Sequence, residues 1–292
     1  MTKPDFLYKY VDVKGAASIL KNMAIKWTCP IYFNDPFDIR QELGFGFDEN
    51  DFFEAYKERF FELMSSEAPV YKDVELWTRV RSMRNGITKK DSESFWESKN
   101  IAQDHLTRLQ RFQQGWKKQI RKWRVLCLTD NEENLLMWSR YADSHQGALF
   151  KFRCVDHPNA HFRDAQQVKY DTALPVIATL SQWVDWLVGA SLPDAIDDRE
   201  VFRRTVFTKS KDWHYEKEWR CIIELDQDPD PAKHDLYNLM PEEIESVFLG
   251  CNMNAEDKTL LTEYIKEFRP HIKVYKANKH LYEYKLNYER LL

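Results

Sequence analysis

Glycine is scarce in this chain, eight among 292 residues, and the eight form neither a Gly-x-Gly-x-x-Gly turn nor a Walker-type loop. Backbone amides that cradle a pyrophosphate need such glycines, so a Rossmann or P-loop enzyme is not expected. Cysteine is equally sparse. Cys29, Cys127, Cys154, Cys221 and Cys251 are scattered, odd in number and without a Cys-x-x-Cys pair. That usage predicts a reduced, cytoplasmic protein without a zinc site. Cys127 and Cys221 stand inside apolar runs and read as core rather than nucleophile. No apolar run approaches the roughly 18 residues of a membrane span, so no membrane partner is expected. The opening Met1-Thr2-Lys3-Pro4-Asp5 lacks the apolar stretch of a signal peptide. His-Glu-x-x-His is absent, and Pro158 separates His157 from His161, so no metal is expected. A Gly-x-Ser-x-Gly elbow, the mark of many serine hydrolases, is also missing. Nor is there excess positive charge. The net charge of −4 means that affinity for nucleic acid must come from a local patch.

Aromatics are plentiful: ten Trp and eighteen Phe within a hydrophobic fraction of 43% predict an aromatic core and aromatic clefts. The length fits one domain, 1–292, carrying a large insertion. Strands are expected at 6–11, 24–28, 125–128, 148–152, 168–170, 219–225, 247–249, 272–276 and 282–286. Helices are expected at 13–21, 133–142, 177–188, 198–209 and 255–268. Between 48 and 123 the spacing turns helical (Phe52, Phe53, Tyr56, Phe60, Leu63), which predicts three or four helices in an inserted subdomain, 48–123. The fold class is α+β: short strands far apart in sequence, without strict βαβ alternation.

Four constellations could carry chemistry. Phe33-Asn34-Asp35-Pro36-Phe37-Asp38 is a turn, because Asn and Asp before Pro favour turn geometry. It either presents an amide and a carboxylate to a cleft or simply closes the core. In Leu136 to Gly147, helical spacing puts Trp138, Tyr141 and Ala142 on one face. His145 follows at the helix exit, and Gly147 reads as the helix stop. In Trp213-His214-Tyr215-Glu216-Lys217-Glu218-Trp219-Arg220, an extended strand would put Glu216, Glu218 and Arg220 on one edge. Lys209 and Lys211 lie just upstream, and a glutamate near such cations remains ionised. This edge either positions a substrate or is an ion-pair network that locks the sheet. From Arg108 to Arg124 there is no acid at all, and Arg111, Lys117, Lys118, Arg121 and Lys122 alternate with Phe112, Trp116 and Trp123. Cations with aromatics suit a nucleic-acid backbone and its bases, and equally a solvated helix with an apolar inner face. Arg79, Arg81 and Arg84 add to that basic character.

These motifs, in this order, resemble the bacterial family of domains of unknown function numbered 2971. The resemblance rests on Leu7-Tyr8-Lys9-Tyr10, Phe33 to Phe37, Met137 to Asp143 with Gly147, and Tyr215 to Arg220. A second resemblance lies in the opening strand, short helix (ending Ile19-Leu20-Lys21-Asn22) and strand, which are similar to the start of ADP-ribosyltransferases. That likeness implies a split, strongly bent mixed sheet binding NAD as substrate. It implies Glu218 as the catalytic carboxylate and Glu216 as its assistant in orienting the acceptor. Lys9 or Tyr10 falls where such enzymes place a first-strand Arg or His, and Lys lacks the bidentate fork of Arg. The implied cofactor set is Lys9, Tyr10, Thr28, Asn34, Asp35, Trp138, Tyr141, His145 and Arg220.

The expectation is therefore an ADP-ribosyltransferase-like enzyme that breaks the bond between nicotinamide and ribose. Its acceptor would be a nucleic acid held by Arg108, Arg111, Lys117, Lys118, Arg121 and Lys122, or a protein. By analogy it would serve as a toxin or antiviral defence effector, with an antitoxin-type protein partner. One alternative is a non-catalytic module that binds nucleic acid or a nucleotide, with Glu216, Glu218 and Arg220 as structural ion pairs. Another is a nuclease using Asp35, Asp38 and Glu218 around a divalent cation.

Overall fold

The computed structural model describes residues 3–39, 42–65, 101–158, 160–188, 198–226 and 233–292. Arg79, Arg81 and Arg84 lie outside them, as does part of the expected helical insertion. The chain divides into two compact units. The first, a sheet unit, takes residues 1–40, 120–172 and 209–292; the second, a helical unit, takes 41–119 and 173–208. The helical unit thus draws on a second segment, 173–208, that the pattern of the sequence had left in the main domain.

In the sheet unit, β1 (Phe6–Val11) leads to α1 (Val13–Asn22) and back to β2 (Ala24–Thr28). Asp12 starts α1 by accepting the Gly15 N–H through its carboxylate, and Met23 stops it in the left-handed region at φ 45°. The later strands are β3 (Trp123–Thr129), β4 (Ala148–Arg153), β5 (Gln166–Gln167), β6 (Lys169–Asp171), β7 (Thr208–Ser210), β8 (Glu218–Glu224), β9 (His234–Asn238), β10 (Ile244–Leu249), β11 (Lys273–Lys279) and β12 (Leu286–Arg290). All but β6 and β7, which pair as a separate two-stranded sheet, form a mixed, open sheet in the order β12-β11-β10-β4-β1-β3-β2-β9, with β8 paired to β3 and β5. β10 and β11 run parallel, joined by an intervening helix (Ala255–Phe268). β3 meets β8 along its whole length, Trp123↔Glu224 to Thr129↔Glu218. It touches β1 at Tyr8↔Thr129 alone and β2 at Thr28↔Val125 alone. β11 and β12 pair antiparallel with each other, so the last strands close within the chain.

Alternation along β1 sends Leu7 to one face and Tyr8 and Tyr10 to the other. The first face is the main core: Leu7, Trp27, Leu126, Phe150 and Val247 packed with Ile19 and Leu20 of α1 and with Ile265. The second is covered by a short helix, Leu135–Tyr141, whose Met137 and Trp138 pack on Tyr8, Tyr10 and Phe248.

The helical unit holds α2 (Glu49–Ser65), most of α3 (Ile101–Lys122), α5 (Leu180–Leu187) and α6 (Asp198–Val206), counting Leu135–Tyr141 as α4 and Ala255–Phe268 as α7. A reciprocal capping box between Thr179 and Gln182 starts α5. The core of this unit is aromatic: Trp183 lies against Phe45, Phe112 and Trp186. Among the described residues no helix is long and apolar enough to cross a membrane.

Candidate functional site

The chain reaches β8 through a tight 3-10 turn, Lys211–Glu216, after which Lys217 adopts a left-handed φ of 43°. The strand itself begins only at Glu218. Glu218 and Arg220 therefore share a strand face as expected, but Glu216 belongs to the preceding turn. The left-handed Lys217 folds Glu216 back, so its carboxylate still reaches the cation that Glu218 binds.

The meeting point is the ammonium of Lys209 on β7. Its Nζ donates to Glu216 Oε2 at 2.6 Å and to Glu218 Oε2 at 2.8 Å, with Asp38 Oδ2 at 3.7 Å. Arg220 donates from Nε to Glu218 Oε1 at 2.7 Å, and from Nη2 to Glu218 Oε2 at 3.1 Å and Asp38 Oδ2 at 2.6 Å. The Tyr141 hydroxyl donates to Glu216 Oε1 at 2.6 Å. The main-chain N–H of Glu218 donates to the Tyr170 hydroxyl oxygen at 2.7 Å. None of these five charged side chains is more than 8% exposed.

Such burial would ordinarily neutralise a carboxylic acid. Burial does press upward on Glu218, but Arg220 and then Lys209 overcome it and hold the carboxyl well below its usual range. Burial opposes the charge on Lys209 too, yet Glu218, Asp38 and Glu216 keep it protonated far above the lysine range. Asp38 goes the other way: burial raises it against the pull of Arg220. Its Oδ1 is enclosed with no hydrogen-bond partner. Three acids face two cations here, and Asp38 is the acid whose charge burial disfavours.

The other expected residues are placed elsewhere. Lys9 donates to the Cys127 carbonyl at 2.7 Å, on β3 opposite Arg220. The Tyr10 hydroxyl donates to the carbonyls of Asn131 and Glu132, and its ring meets Trp138 edge-on at 5.3 Å. His145 stacks on Trp138 at 6.2 Å, and burial, then Lys279, lower its affinity for a proton. Thr28 ends β2, half-buried, and Asn34 is exposed in its turn. Asp35 caps that turn by accepting the Phe37 N–H at 2.9 Å. The structure thus joins Tyr141, Glu216, Glu218 and Arg220 with Asp38 and Lys209, and stacks Tyr10, Trp138 and His145 separately. Among the described residues no three His, Cys, Asp or Glu side chains converge as a metal group would require. Tyr170 is a member of the cluster that sequence reasoning missed; a tyrosine in a three-residue strand gives no spacing signal.

Gly147 follows three consecutive left-handed residues, Asp143, Ser144 and His145, rather than the helix end itself. A β-carbon on Gly147 would sit 2.1 Å from the Val11 carbonyl oxygen. Close backbone approach, not helix termination, requires glycine there.

On α3 the aromatics turn inward. Trp116 and Ile120 are buried and Phe112 packs on Trp183, while Arg111, Lys117, Lys118 and Arg121 are exposed. Arg108 lies over the Trp186 ring at 4.7 Å, and Lys117 pairs with Glu42 at 2.6 Å. Arg111, Lys118 and Lys122 share one line of the helix surface. Among the described residues neither Arg111 nor Lys118 has an acidic partner.

A family model described as a protein of unknown function (DUF2971) matches residues 137–221. The match contains the Met137 to Gly147 and Tyr215 to Arg220 motifs, and ends within β8. No curated protein and no solved structure matches the chain.

Proposed function

We propose that this chain is a nucleic-acid-binding module, and that Glu216, Glu218 and Arg220 lock its sheet instead of processing a substrate. The observation that carries this reading is the outer surface of α3, where Arg111 and Lys118 face solvent while the helix's aromatics are spent on the core. Cations in that arrangement engage phosphates without reading bases. Overall negative charge repels a polyanion at long range, so binding would be local and steeply weakened by salt.

The same geometry weighs against NAD cleavage at Glu218. A carboxylate that stabilises an oxocarbenium-like transition state must touch the ribose. Glu218 is 3% exposed, and a ligand would reach it only by displacing Lys209 or Arg220. One observation favours the transferase reading: Glu218 is held ionised at the head of a strand, beside a sheet joined to its neighbours through single pairs at β3.

Incubation of the purified protein with labelled RNA and DNA, and separately with NAD, distinguishes the two. The binding reading expects retention of nucleic acid at low salt and no release of nicotinamide. It is overturned by nicotinamide release that disappears in a Glu218→Gln variant still folded at the assay temperature.

A further inference from the structure

A cavity in the sheet unit lies away from the charged cluster. It encloses about 570 Å³ between β8, β9 and the turn at 161–164. That is within the range of about 300–1,000 Å³ typical of small-molecule sites. By strand alternation, Cys221 and Ile223 of its wall lie on the face of β8 opposite Glu218 and Arg220. Neither Glu218 nor Arg220 lines it, although Ile222 of their strand face does. We infer that this cavity is a recognition site for a planar nitrogen heterocycle, a nucleobase offered by a nucleotide or by a strand.

Three rings shape the site. Trp27 lies 5.4 Å from His161 and 5.3 Å from Tyr237, and His161 lies 5.8 Å from Tyr237. Their planes are inclined at 70°, 55° and 76°. None of the three is therefore stacked in parallel on another, unlike Trp183 on Trp186 or Phe248 on Tyr275, at 27° and 16°. The half-buried rings of His161 and Tyr237 are the surfaces on which a flat ligand ring would stack, and every base has the π-face to do so.

The rim carries the means to read an edge. His161 Nε2 lies 3.1 Å from the Asn238 carbonyl oxygen. A carbonyl can only accept, so that nitrogen carries the hydrogen and Nδ1 is left as an acceptor in the neutral ring. The exposed Asn238 carboxamide offers a donor and an acceptor, and the exposed Asp164 carboxylate two acceptors. Among the described residues neither side chain has a hydrogen-bond partner. An amide that gives and takes matches the paired donor and acceptor on the edge of a base, and a carboxylate matches an exocyclic amine.

The inference deepens the nucleic-acid reading by adding base recognition to phosphate contact, and rests on that reading for polymer ligands but not for free nucleosides. Calorimetric titration tests it with adenosine, guanosine, cytidine and uridine, and then with ten-residue homopolymers of each. The wild type is expected to bind at least one base saturably. Asn238→Ala, at an exposed position, is expected to weaken that base tenfold or more without changing the melting temperature, and Tyr237→Leu to weaken it as much in a protein that still melts cooperatively. An Arg111→Glu, Lys118→Glu double variant is expected to keep nucleoside affinity while losing the homopolymer. Nucleoside binding without homopolymer binding would support the site and sink the nucleic-acid reading. Homopolymer binding untouched by Asn238→Ala and Tyr237→Leu would overturn the site and leave that reading standing. No saturable binding of any nucleoside or homopolymer by a cooperatively melting protein overturns both.

Discussion

Removing one partner from a buried ion pair leaves the other charge uncompensated, which costs about 3–5 kcal/mol. Glu218→Gln removes the carboxylate that Arg220 and Lys209 share and leaves each hydrogen-bonded to one acid, Asp38 and Glu216 respectively, so denaturant unfolding should show a loss of up to about this size. Replacing Glu218 and Arg220 together by Met should cost less than the sum of the two single changes, because neither charge is then stranded. Additive losses would mean that the two do not act as a unit. The pH profile carries its own signs. Glu218 is depressed in the folded protein, so its stabilisation is present above the ordinary 4.5 and disappears as pH falls below it. Lys209 is raised, so its share is complete below 10.5 and is lost only as pH climbs beyond. Asp38 is raised above 3.8 and works in the opposite sense to Glu218: the fold loses stability as pH rises past that value. Thermal melts from neutral pH down through 4.5 should therefore show a steep acid-side decline that flattens in Glu218→Gln. An unchanged slope would take Glu218 out of the acid transition.

At the scale of elements, Gly147 joins two strands by close contact. Gly147→Ala drives a methyl into the Val11 carbonyl, and overpacking of this kind costs about 1–3 kcal/mol. Urea unfolding of the variant measures it; a neutral result would mean that β1 and β4 separate easily at that end. Elements with strong local signals were legible in the sequence. β1, β2 and α7 stand where apolar alternation and helical spacing put them. β9 was not, because His234-Asp235-Leu236-Tyr237-Asn238 is polar and half-exposed and is held mainly by its pairing with β2. The last strand lies later than expected, at Leu286–Arg290, because Leu281, Tyr282 and Tyr284 are nearly fully exposed in the hairpin turn. Aromatic content there marks a tip, not a strand. Glu216 was misplaced for a related reason: a left-handed Lys217 has no signature in sequence, since lysine rarely takes that conformation.

For the whole molecule, the charged residues of Tyr215 to Arg220 could be read from the sequence as a group, but not their enclosure. Burial depends on Asp38, which arrives from a distant part of the chain, and on Lys209, which a separate strand brings in. The cavity beside Trp27 was equally hidden, since His161 and Tyr237 meet only through the fold. The basic stretch left two readings open, and the inward turn of Trp116 and Phe112 leaves its exposed cations without neighbouring aromatics on the outer face of the helix. That makes ionic strength the most direct probe of the central claim. The measurement is fluorescence anisotropy of a labelled single-stranded RNA across a salt series, for wild type and for the Arg111→Glu, Lys118→Glu variant. Counterion release predicts a linear fall of log affinity with log salt, and a slope shallower by about one for each cation removed. Affinity that ignores salt, or a slope that the double variant leaves unchanged, would contradict the account.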